Sequence, residues 1–240
     1  MAVPSGHSVR LNWTAVIMSR LNIRIIDGRK AESFDTSTKI LVDVFRSTTT
    51  IPYIFAGGAR KVFPTSRIRE ARELHRKMPG SILVGERWGV RIRGFDCNNS
   101  PSDIQRTDLR SKDVIFTSTN GTYVLNRIKG TGRILLGSFV NLSALIREVS
   151  GEENLDVVVS NRPDGQADED NIFAEYLLSA LKGKDPDLTG PLENVRKSQG
   201  AMRMKLLGYS RDLDYCLKVD HTDIVPEYLG PFIVSGKDKF

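Results

Sequence analysis

The chain has 240 residues, of which 40% are hydrophobic and 27% are charged, and this composition excludes a disordered or fibrous protein. No stretch approaches the ~18–20 apolar residues that a membrane-spanning helix needs, so we predict no membrane association. The formal net charge of +6 is spread along the chain with acids interleaved, which disfavours nucleic-acid binding and is equally explained by a small anionic substrate.

The first segment, residues 1–17, is predicted to be a loosely ordered leader, followed by a single domain over residues 18–240. Translation could start at Met1 or at Met18, and the leader lacks the small-residue cleavage site of a signal peptide. Two cysteines do not make a disulfide framework in a chain of this size, so we expect a reducing, cytoplasmic location. The sequence leaves the oligomeric state open, a homo-oligomer included.

Short apolar runs recur along the chain, and each is followed by a stretch with helical spacing. The predicted strands are Lys39–Phe45, Lys61–Pro64, Ser81–Val84, Val114–Thr117, Arg133–Leu136 and Asp156–Ser160. The predicted helices are Thr48–Ala56, Ser66–Lys77, Asn120–Ile128, Asn141–Val149 and Glu169–Leu181, with a further helical pattern from Pro191 onward. This alternation predicts an α/β fold in one compact domain, with a largely parallel central sheet flanked by helices on both faces in α/β/α layers.

A polar run from Asp43 to Thr50 joins the first predicted strand to the first predicted helix. In doubly wound sheets, ligands bind beyond the carboxyl ends of the strands. The free N–H groups of a helix start form an anion cradle, and Arg46 adds a fork suited to phosphate or sulfonate oxygens. A plain helix cap is the alternative, but one hydroxyl is enough for a cap. The pattern therefore favours an anion site with an acid beside it.

A second polar run, residues 85–101, is predicted to be a connection of ~17 residues, and ordered loops of that length are usually functional. Glu86 could serve as a metal ligand or a base, and Arg87 could bind an anion. We expect Trp88 to pack as an anchor of the loop. The segment Asn99-Ser100-Pro101 is also explained as a turn and helix start, with proline at the first helical position.

Two further polar runs end a predicted strand or precede a helix. In Thr117–Thr122, Gly121 would let the backbone approach a ligand closely, although such runs are also common at turns. In Asp164–Asp170, the acids either stabilise the helix dipole or hold Mg²⁺. Consecutive acids cannot share one helix face, so only one of Glu169 and Asp170 is predicted to point into a site.

The remaining candidate metal ligands give no pattern of their own. The three histidines are scattered, so no histidine- or thiolate-rich motif is available, and any metal would be held by oxygen, as Mg²⁺ is. The late acids Asp212, Asp214, Asp220 and Asp223 are assigned to ordinary solvent-exposed positions.

Taken in order, the four polar runs resemble the 2-phosphosulfolactate phosphatase family. The family pattern has Asp-Val-x-Arg-Ala/Ser-Thr-Thr after the first long strand, then Gly-Glu-Arg-x-Gly, Gly-Phe-Asp-x-x-Asn-Ser-Pro and Thr-Thr-Asn-Gly-Thr, and later Glu-Asp before a helix. The corresponding segments here are Asp43–Thr49, Gly85–Gly89, Gly94–Pro101, Thr117–Thr122, where Ser118 replaces a threonine, and Glu169-Asp170. Each motif is loose alone, but their order and rough spacing are specific.

The resemblance implies a Mg²⁺-dependent phosphatase that hydrolyses 2-phosphosulfolactate to sulfolactate and phosphate in coenzyme M biosynthesis. We expect catalysis by Asp43, Arg46, Glu86 and Asn120, with Mg²⁺ held by Asp43, Glu86 and Asp170. We expect substrate binding by Thr48, Thr49, Arg87, Arg93, Thr119, Gly121 and Thr122, with Arg87 and Arg93 on the carboxylate or sulfonate. Secondary roles are expected for Asp96 and Glu169.

Two alternatives are compatible with the same residues. The chain could be a phosphatase or related hydrolase of a different phosphorylated hydroxy acid. It could also be a non-catalytic protein that binds anions or nucleic acid. The sequence leaves open whether a phospho-enzyme forms, with Asp43 as the candidate nucleophile.

Overall fold

The computed structural model describes residues 21–184 and 186–236. The predicted leader and the alternative start at Met18 lie outside these ranges. The strands are β1 (Asn22–Asp27), β2 (Thr38–Val42), β3 (Lys61–Thr65), β4 (Ile82–Arg87), β5 (Val90–Arg91), β6 (Asp113–Thr117), β7 (Ile134–Gly137), β8 (Asn154–Val159), β9 (Glu227–Tyr228) and β10 (Ile233–Val234). The helices are α1 (Ser47–Ala56), α2 (Ile68–Lys77), α3 (Pro101–Ile104), α4 (Gly121–Ile128), α5 (Leu142–Glu148), α6 (Asp168–Leu181), α7 (Thr189–Lys197), α8 (Gln199–Leu206) and α9 (Ser210–Cys216), with a 3₁₀ helix at Phe139–Asn141.

The predicted α/β architecture is confirmed. The described strands form one sheet with the order β1-β8-β2-β7-β9-β10-β3-β6-β4-β5. Two parallel groups, β1-β8-β2-β7 and β3-β6-β4, are joined by the antiparallel strands β9 and β10. Within the described ranges, no helix is both long and apolar enough to cross a bilayer.

Alternate residues of the central strands pack on opposite faces of the sheet, as the two-residue period of a strand requires. In β2, Ile40 and Val42 pack with residues of α5 and α6, whereas Leu41 packs with residues of α1 and α4. In β6, Ile115 packs against Ala71 of α2. Helices therefore cover both faces of the sheet, and the apolar surface that they remove from water is the main source of stability.

Helix α1 contains Pro52 in its interior, where proline removes one backbone donor. The carbonyl left without that donor belongs to Thr48, four residues earlier. The hydroxyl of Ser138, just after β7, donates to the Thr48 carbonyl oxygen at 3.0 Å. A neighbouring strand end thus satisfies the buried carbonyl and fixes the first turn of α1 at the edge of the sheet.

The segment 85–101 is not the single long connection that the sequence predicts. Strand β4 continues to Arg87, turns at Trp88-Gly89 and pairs antiparallel with β5. Strand β4 extends through Glu86, because the Glu86 carboxylate accepts a hydrogen bond from the backbone N–H of Thr119 in the neighbouring connection. The predicted helix start at Pro101 is confirmed, with Ser100 Oγ accepting from the backbone N–H of Asp103.

Candidate active site

An open cavity of about 620 Å³, its mouth included, lies beyond the carboxyl ends of β2, β4, β6 and β8. Residues from four strand-to-helix connections and from the C-terminal helices form its wall. The lining residues are Asp43, Phe45, Arg46, Glu86, Trp88, Gly89, Asn99, Thr119, Asn120, Arg162, Pro163, Asp164, Glu169, Gly200, Arg203, Met204, Leu207 and Tyr209.

Asp43 follows β2 and is almost fully buried. Its Oδ2 accepts a hydrogen bond of 2.8 Å from the backbone N–H of Gly121, at the start of α4. Burial and the negative charges of Glu86 and Glu169 raise the pKa of the Asp43 carboxyl, hydrogen bonds from Ser47 and Gly121 lower it, and the net value is about 6. Asp43 is therefore a carboxyl group poised to exchange a proton near neutral pH.

Gly121 is required by the close approach of Asp43 to α4. A Cβ at this position would lie 2.7 Å from Asp43 Oδ2 and 2.7 Å from Ser47 Oγ. Neighbouring hydroxyls fix the same turn, because Ser118 Oγ accepts from Thr122 N at 3.1 Å and Thr122 Oγ1 accepts from Ser118 N at 3.0 Å. Gly121 is therefore needed for the close contact between α4 and Asp43, and the hydroxyls of Ser118 and Thr122 fix the first turn of α4.

Glu86 joins two of the connections around the cavity. Its Oε1 accepts from the backbone N–H of Thr119 at 2.5 Å, and its Oε2 accepts from Gly89 N at 2.6 Å and from Thr119 Oγ1 at 3.0 Å. The Trp88 N–H also donates to Thr119 Oγ1 at 2.9 Å. Because both carboxylate oxygens already accept hydrogen bonds, Glu86 holds the β4–β5 turn against the loop after β6.

Asn120 presents its side chain to the cavity from the loop that Glu86 holds. Arg29 donates to the Thr119 carbonyl oxygen at 3.1 Å and to Asn120 Oδ1 at 2.8 Å. This contact fixes the amide so that its NH₂ group is available as a donor. Sequence analysis missed Arg29, because it follows β1, a strand whose mixed polar and apolar residues gave no apolar run.

Arg46 lies at the start of α1, with only 4% of its surface exposed. Its guanidinium forms an ion pair with Asp212 of α9, donates to the Gly89 carbonyl oxygen at 3.1 Å and lies 4.4 Å from the centre of the Tyr209 ring. Asp212 is fully buried and also accepts from Ser100 Oγ at 2.9 Å. The predicted exposed position of Asp212 is therefore wrong: its partner lies 166 residues earlier in the chain and left no local signal.

Glu169 and Asp170 point in different directions, as their adjacency requires. Glu169 lines the cavity, accepts from Arg162 at 2.6 Å through Oε1, and keeps a buried Oε2 without a hydrogen-bond partner among the described residues. Asp170 accepts from the Val44 backbone N–H at 2.8 Å, outside the lining. Burial raises the pKa of Asp170 well above its ordinary value, and the charges of Asp43 and Glu169 add to the shift.

Several residues of the predicted site lie outside the cavity lining. The hydroxyls of Thr48 and Thr49 bond to the backbone of the segment before α1, through Asp43 N at 3.0 Å and Val44 O at 2.9 Å. Arg93 is exposed.

Arg87 and Asp96 are also occupied away from the cavity. The Arg87 guanidinium donates to Glu86 O at 2.7 Å, Ser66 O at 3.1 Å and Thr117 Oγ1 at 2.9 Å. The Asp96 carboxylate accepts from the Leu83 backbone N–H at 2.8 Å. Both side chains support the loop geometry around β4.

The structure also brings in cavity residues that sequence analysis did not select. Asn99 had been explained by a turn, yet it donates to Ser47 Oγ at 3.3 Å and keeps a buried Oδ1 without a partner among the described residues. Arg162 follows the end of β8, and this position after a strand is the signal by which the sequence could have revealed it. Gly200 and Arg203 belong to α8, which carries no motif, so only packing reveals them.

The residues fit a hard cation that takes part of its coordination from a substrate. Among the described residues, no three His, Cys, Asp or Glu side chains form a metal centre by themselves. Mg²⁺, however, is usually bound by one or two carboxylates and completes its shell with water and phosphate oxygens. The partnerless Oε2 of Glu169 and the carboxyl group of Asp43 supply ligands of that kind.

Comparisons with known proteins point to one family. The model of the 2-phosphosulpholactate phosphatase family matches residues 25–231, a span that includes every lining residue. The chain is 46% identical over 217 residues to the probable 2-phosphosulfolactate phosphatase of Thermoplasma acidophilum, covering 90% of this chain and 96% of the relative. The protein of the same name from Thermoplasma volcanium is 46% identical over 213 residues, covering 89% and 99%. That from Carboxydothermus hydrogenoformans is 36% identical over 214 residues, covering 82% and 89%.

Replacing Asp212 with asparagine should destabilise the protein, because it leaves the buried Arg46 charge uncompensated. We expect Asp212→Asn to lower the free energy of unfolding by about 3–5 kcal/mol, measured by urea denaturation. The matched control is Asp214→Asn on the same helix, where an exposed pair with Arg196 is lost. That variant should lose no more than about 1 kcal/mol, and equal losses would contradict the role of the buried pair.

Replacing Gly121 with alanine should force α4 away from Asp43. The added Cβ meets oxygen and carbon atoms at 2.7 Å, so Gly121→Ala should lower the free energy of unfolding by about 1–3 kcal/mol despite its better helix propensity. Gly190→Ala, in the first turn of α7 with no atom within 4 Å of its Cβ position, is the matched control. A thermal melt in which both variants match the parent would refute the packing argument.

Proposed function

This chain belongs to the 2-phosphosulpholactate phosphatase family, and we propose that it hydrolyses 2-phosphosulfolactate to sulfolactate and inorganic phosphate with the help of Mg²⁺. In this reaction the oxygen of water adds to phosphorus, the ester P–O bond breaks, and the released alkoxide takes up a proton to become a hydroxyl group. The observation that carries the proposal is one cavity that combines buried carboxylates with guanidinium and amide donors.

The carboxylates of Asp43 and Glu169 are the ligands that we propose for Mg²⁺. When bound, the ion would neutralise phosphoryl oxygens and hold the phosphate in position. Glu86 and Asp170, which the sequence also suggested, accept backbone hydrogen bonds in the structure. We assign them to fixing the connections from which Asp43 and Glu169 reach the cavity.

Arg46 and Asn120 are the groups that we propose for the phosphate. Asp212 and Gly89 hold the Arg46 guanidinium at the cavity wall, so little side-chain entropy is lost when it binds an anion. Arg29 holds Asn120 through Oδ1, and the amide NH₂ group can donate to a phosphoryl oxygen. Donors that are fixed before substrate arrives stabilise the charge that develops in the transition state.

We propose that Asp43 acts on the water molecule that attacks phosphorus. The Asp43 carboxylate lines the cavity, where it accepts the proton of the attacking water as the new P–O bond forms. A direct attack by Asp43 on phosphorus would give a phospho-enzyme instead. Both routes need a charged carboxylate at this position, so both are stopped by the same substitution.

We extend the proposal to a place in coenzyme M biosynthesis and to the cytoplasm. The family resemblance supports the first, because a sulfonated hydroxy acid is the expected product. The second is supported by Cys97 and Cys216, which are both free and buried. Free buried thiols are typical of proteins from a reducing compartment.

Asp43→Asn separates the chemical role of Asp43 from any structural one. The charged form of a buried carboxyl with a raised pKa opposes folding at neutral pH, so neutral asparagine should keep or raise the melting temperature. Phosphate release from 2-phosphosulfolactate should fall at least about 100-fold. Asp108→Asn, which removes an exposed acid paired with Arg110, is the control. Near-normal turnover by Asp43→Asn would overturn the proposed mechanism.

Removal of metal should abolish turnover and expose the role of Glu169. We expect EDTA to stop phosphate release and Mg²⁺ to restore it and to raise the melting temperature, because the ion binds the folded state. Glu169→Gln should need at least about tenfold more Mg²⁺ for the same thermal shift. Asp168→Asn removes an exposed acid one residue earlier and should not change that requirement. Full activity in EDTA would exclude metal assistance.

The substrate itself is tested with a panel of phosphate esters. Turnover of 2-phosphosulfolactate well above that of other phosphorylated hydroxy acids is expected. Rapid hydrolysis of another ester, with none of 2-phosphosulfolactate, would replace the substrate and keep the phosphatase chemistry.

A further inference from the structure

The cavity contains three arginines, of which two are paired with buried carboxylates. Arg46 is paired with Asp212, and Arg162 is paired with Glu169. The guanidinium of Arg203, on α8, has no ion-pair or hydrogen-bond partner in the described ranges, and it lies over the Trp88 ring, 5.9 Å from the guanidinium carbon to the ring centre. Arg203 is thus the cavity guanidinium whose charge is not already compensated.

We propose that Arg203 is the specificity-determining residue for a sulfonate group of the substrate. The inference rests on the proposed function and deepens it. A phosphosulfolactate carries three acidic groups, and a hydrolase that binds only the phosphate could not distinguish it from other phosphate esters. An uncompensated guanidinium in the same cavity supplies the attraction for a second anion, and its fork matches the oxygens of a sulfonate.

Apolar side chains line the cavity near Arg203, and a weakly hydrated anion such as a sulfonate is suited to such surroundings. Met204 and Leu207 of the same helical segment line the cavity beside it, together with Trp88. An Arg guanidinium is itself weakly hydrated, so it gives up little hydration when it binds an anion beside apolar side chains. The CH₂ group next to the sulfonate can pack on the apolar wall.

The position of Trp88 supports a contact with ligand. Sequence analysis expected a packed loop anchor, but 54% of the Trp88 surface is exposed, at the cavity wall. Its backbone has a left-handed φ of 55°, which is strained for a bulky residue. Hydrogen bonds through Thr119 and Glu86 hold this turn, and Leu207 packs directly against Gly89. The fold thus fixes a large exposed aromatic ring next to an uncompensated arginine.

The two anionic groups of the substrate would meet surroundings that differ in burial. Asp43 and Glu169, which would hold a cation and the phosphate, are almost fully buried. Arg203 is half-buried, on the helix beside the exposed Trp88. Arg87 and Arg93, the residues expected to take the second anion, lie outside the lining, so Arg203 takes that role in their place.

The test compares two substrates that differ only in the sulfonate, 2-phosphosulfolactate and 2-phospholactate. Arg203→Gln should lower kcat/KM for 2-phosphosulfolactate by about 10- to 100-fold, mainly through KM, because one charged hydrogen-bonding contact is lost. The same variant should change kcat/KM for 2-phospholactate by less than about threefold, and Arg203→Lys should recover part of the loss because it restores the charge without the fork.

Lys205→Gln is the matched control. It removes one positive charge from the same helix, but Lys205 is exposed and lies outside the lining. It should leave both substrates within about twofold of the parent, since exposed charges are largely screened by salt. Equal losses on both substrates in Arg203→Gln, or equal effects of the two glutamine variants, would overturn the assignment.

A binding measurement tests Arg203 without any turnover. Calorimetry should show that sulfolactate binds the parent protein more tightly than lactate does, and that Arg203→Gln removes the difference. Parent protein that fails to hydrolyse 2-phosphosulfolactate but shows this binding pattern would contradict the proposed function and support the sulfonate site. Equal affinity of Arg203→Gln and parent for sulfolactate would refute the sulfonate site, whatever the activity.

Discussion

The buried ion pair between Arg46 and Asp212 is the interaction on which the assembly of the cavity depends. Arg46 begins α1 at the end of β2, and Asp212 lies on α9, close to the end of the chain. Two charges are held without water only where each gains further hydrogen bonds, and here Ser100 and the Gly89 carbonyl supply them. The pair therefore joins the end of β2, the β4–β5 turn and α3 to the C-terminal helices. Because α8 packs on α9, the pair also helps to position the wall that α8 forms.

The charges around the cavity do not cancel within the protein. The charge of Glu169 raises the pKa of Asp43, the charges of Asp43 and Glu169 raise the pKa of Asp170, and all three side chains are buried. Arg46 is already neutralised by Asp212, and Arg162, which pairs with Glu169, also attracts Asp170. Three buried carboxyl groups thus lie close together with one paired arginine among them, so their charged forms repel one another. A divalent cation relieves such repulsion, and it would bring the phosphate to the acids that otherwise repel it.

Sequence reasoning succeeded where the signal is local. Each predicted strand was an apolar run, and the acids Asp43, Glu86 and Glu169 were selected because strand ends converge in this fold class. It failed where a partner is distant: Asp212 has the local pattern of a surface acid, and only its contact with Arg46 reveals burial. Thr48 was attributed to the ligand although its hydroxyl bonds to the Asp43 backbone. Propensity and spacing identify polar groups but do not tell which of them the protein itself will satisfy.

The difference between local signals and distant contacts also separates the residues for phosphate hydrolysis from the residue for substrate selectivity. Asp43, Asn120 and Glu169 lie at or next to strand ends, where the sheet holds the backbone that carries them in a fixed position. Arg203 lies on a helix that reaches the cavity only by packing, with Gly200 close enough that a Cβ would lie 2.4 Å from Glu169 Oε1. A chain that kept the strand ends and replaced this helix would retain the groups for phosphate hydrolysis and lose the uncompensated charge. Selectivity can therefore change without rebuilding the sheet, because it resides in an element that the sheet does not position.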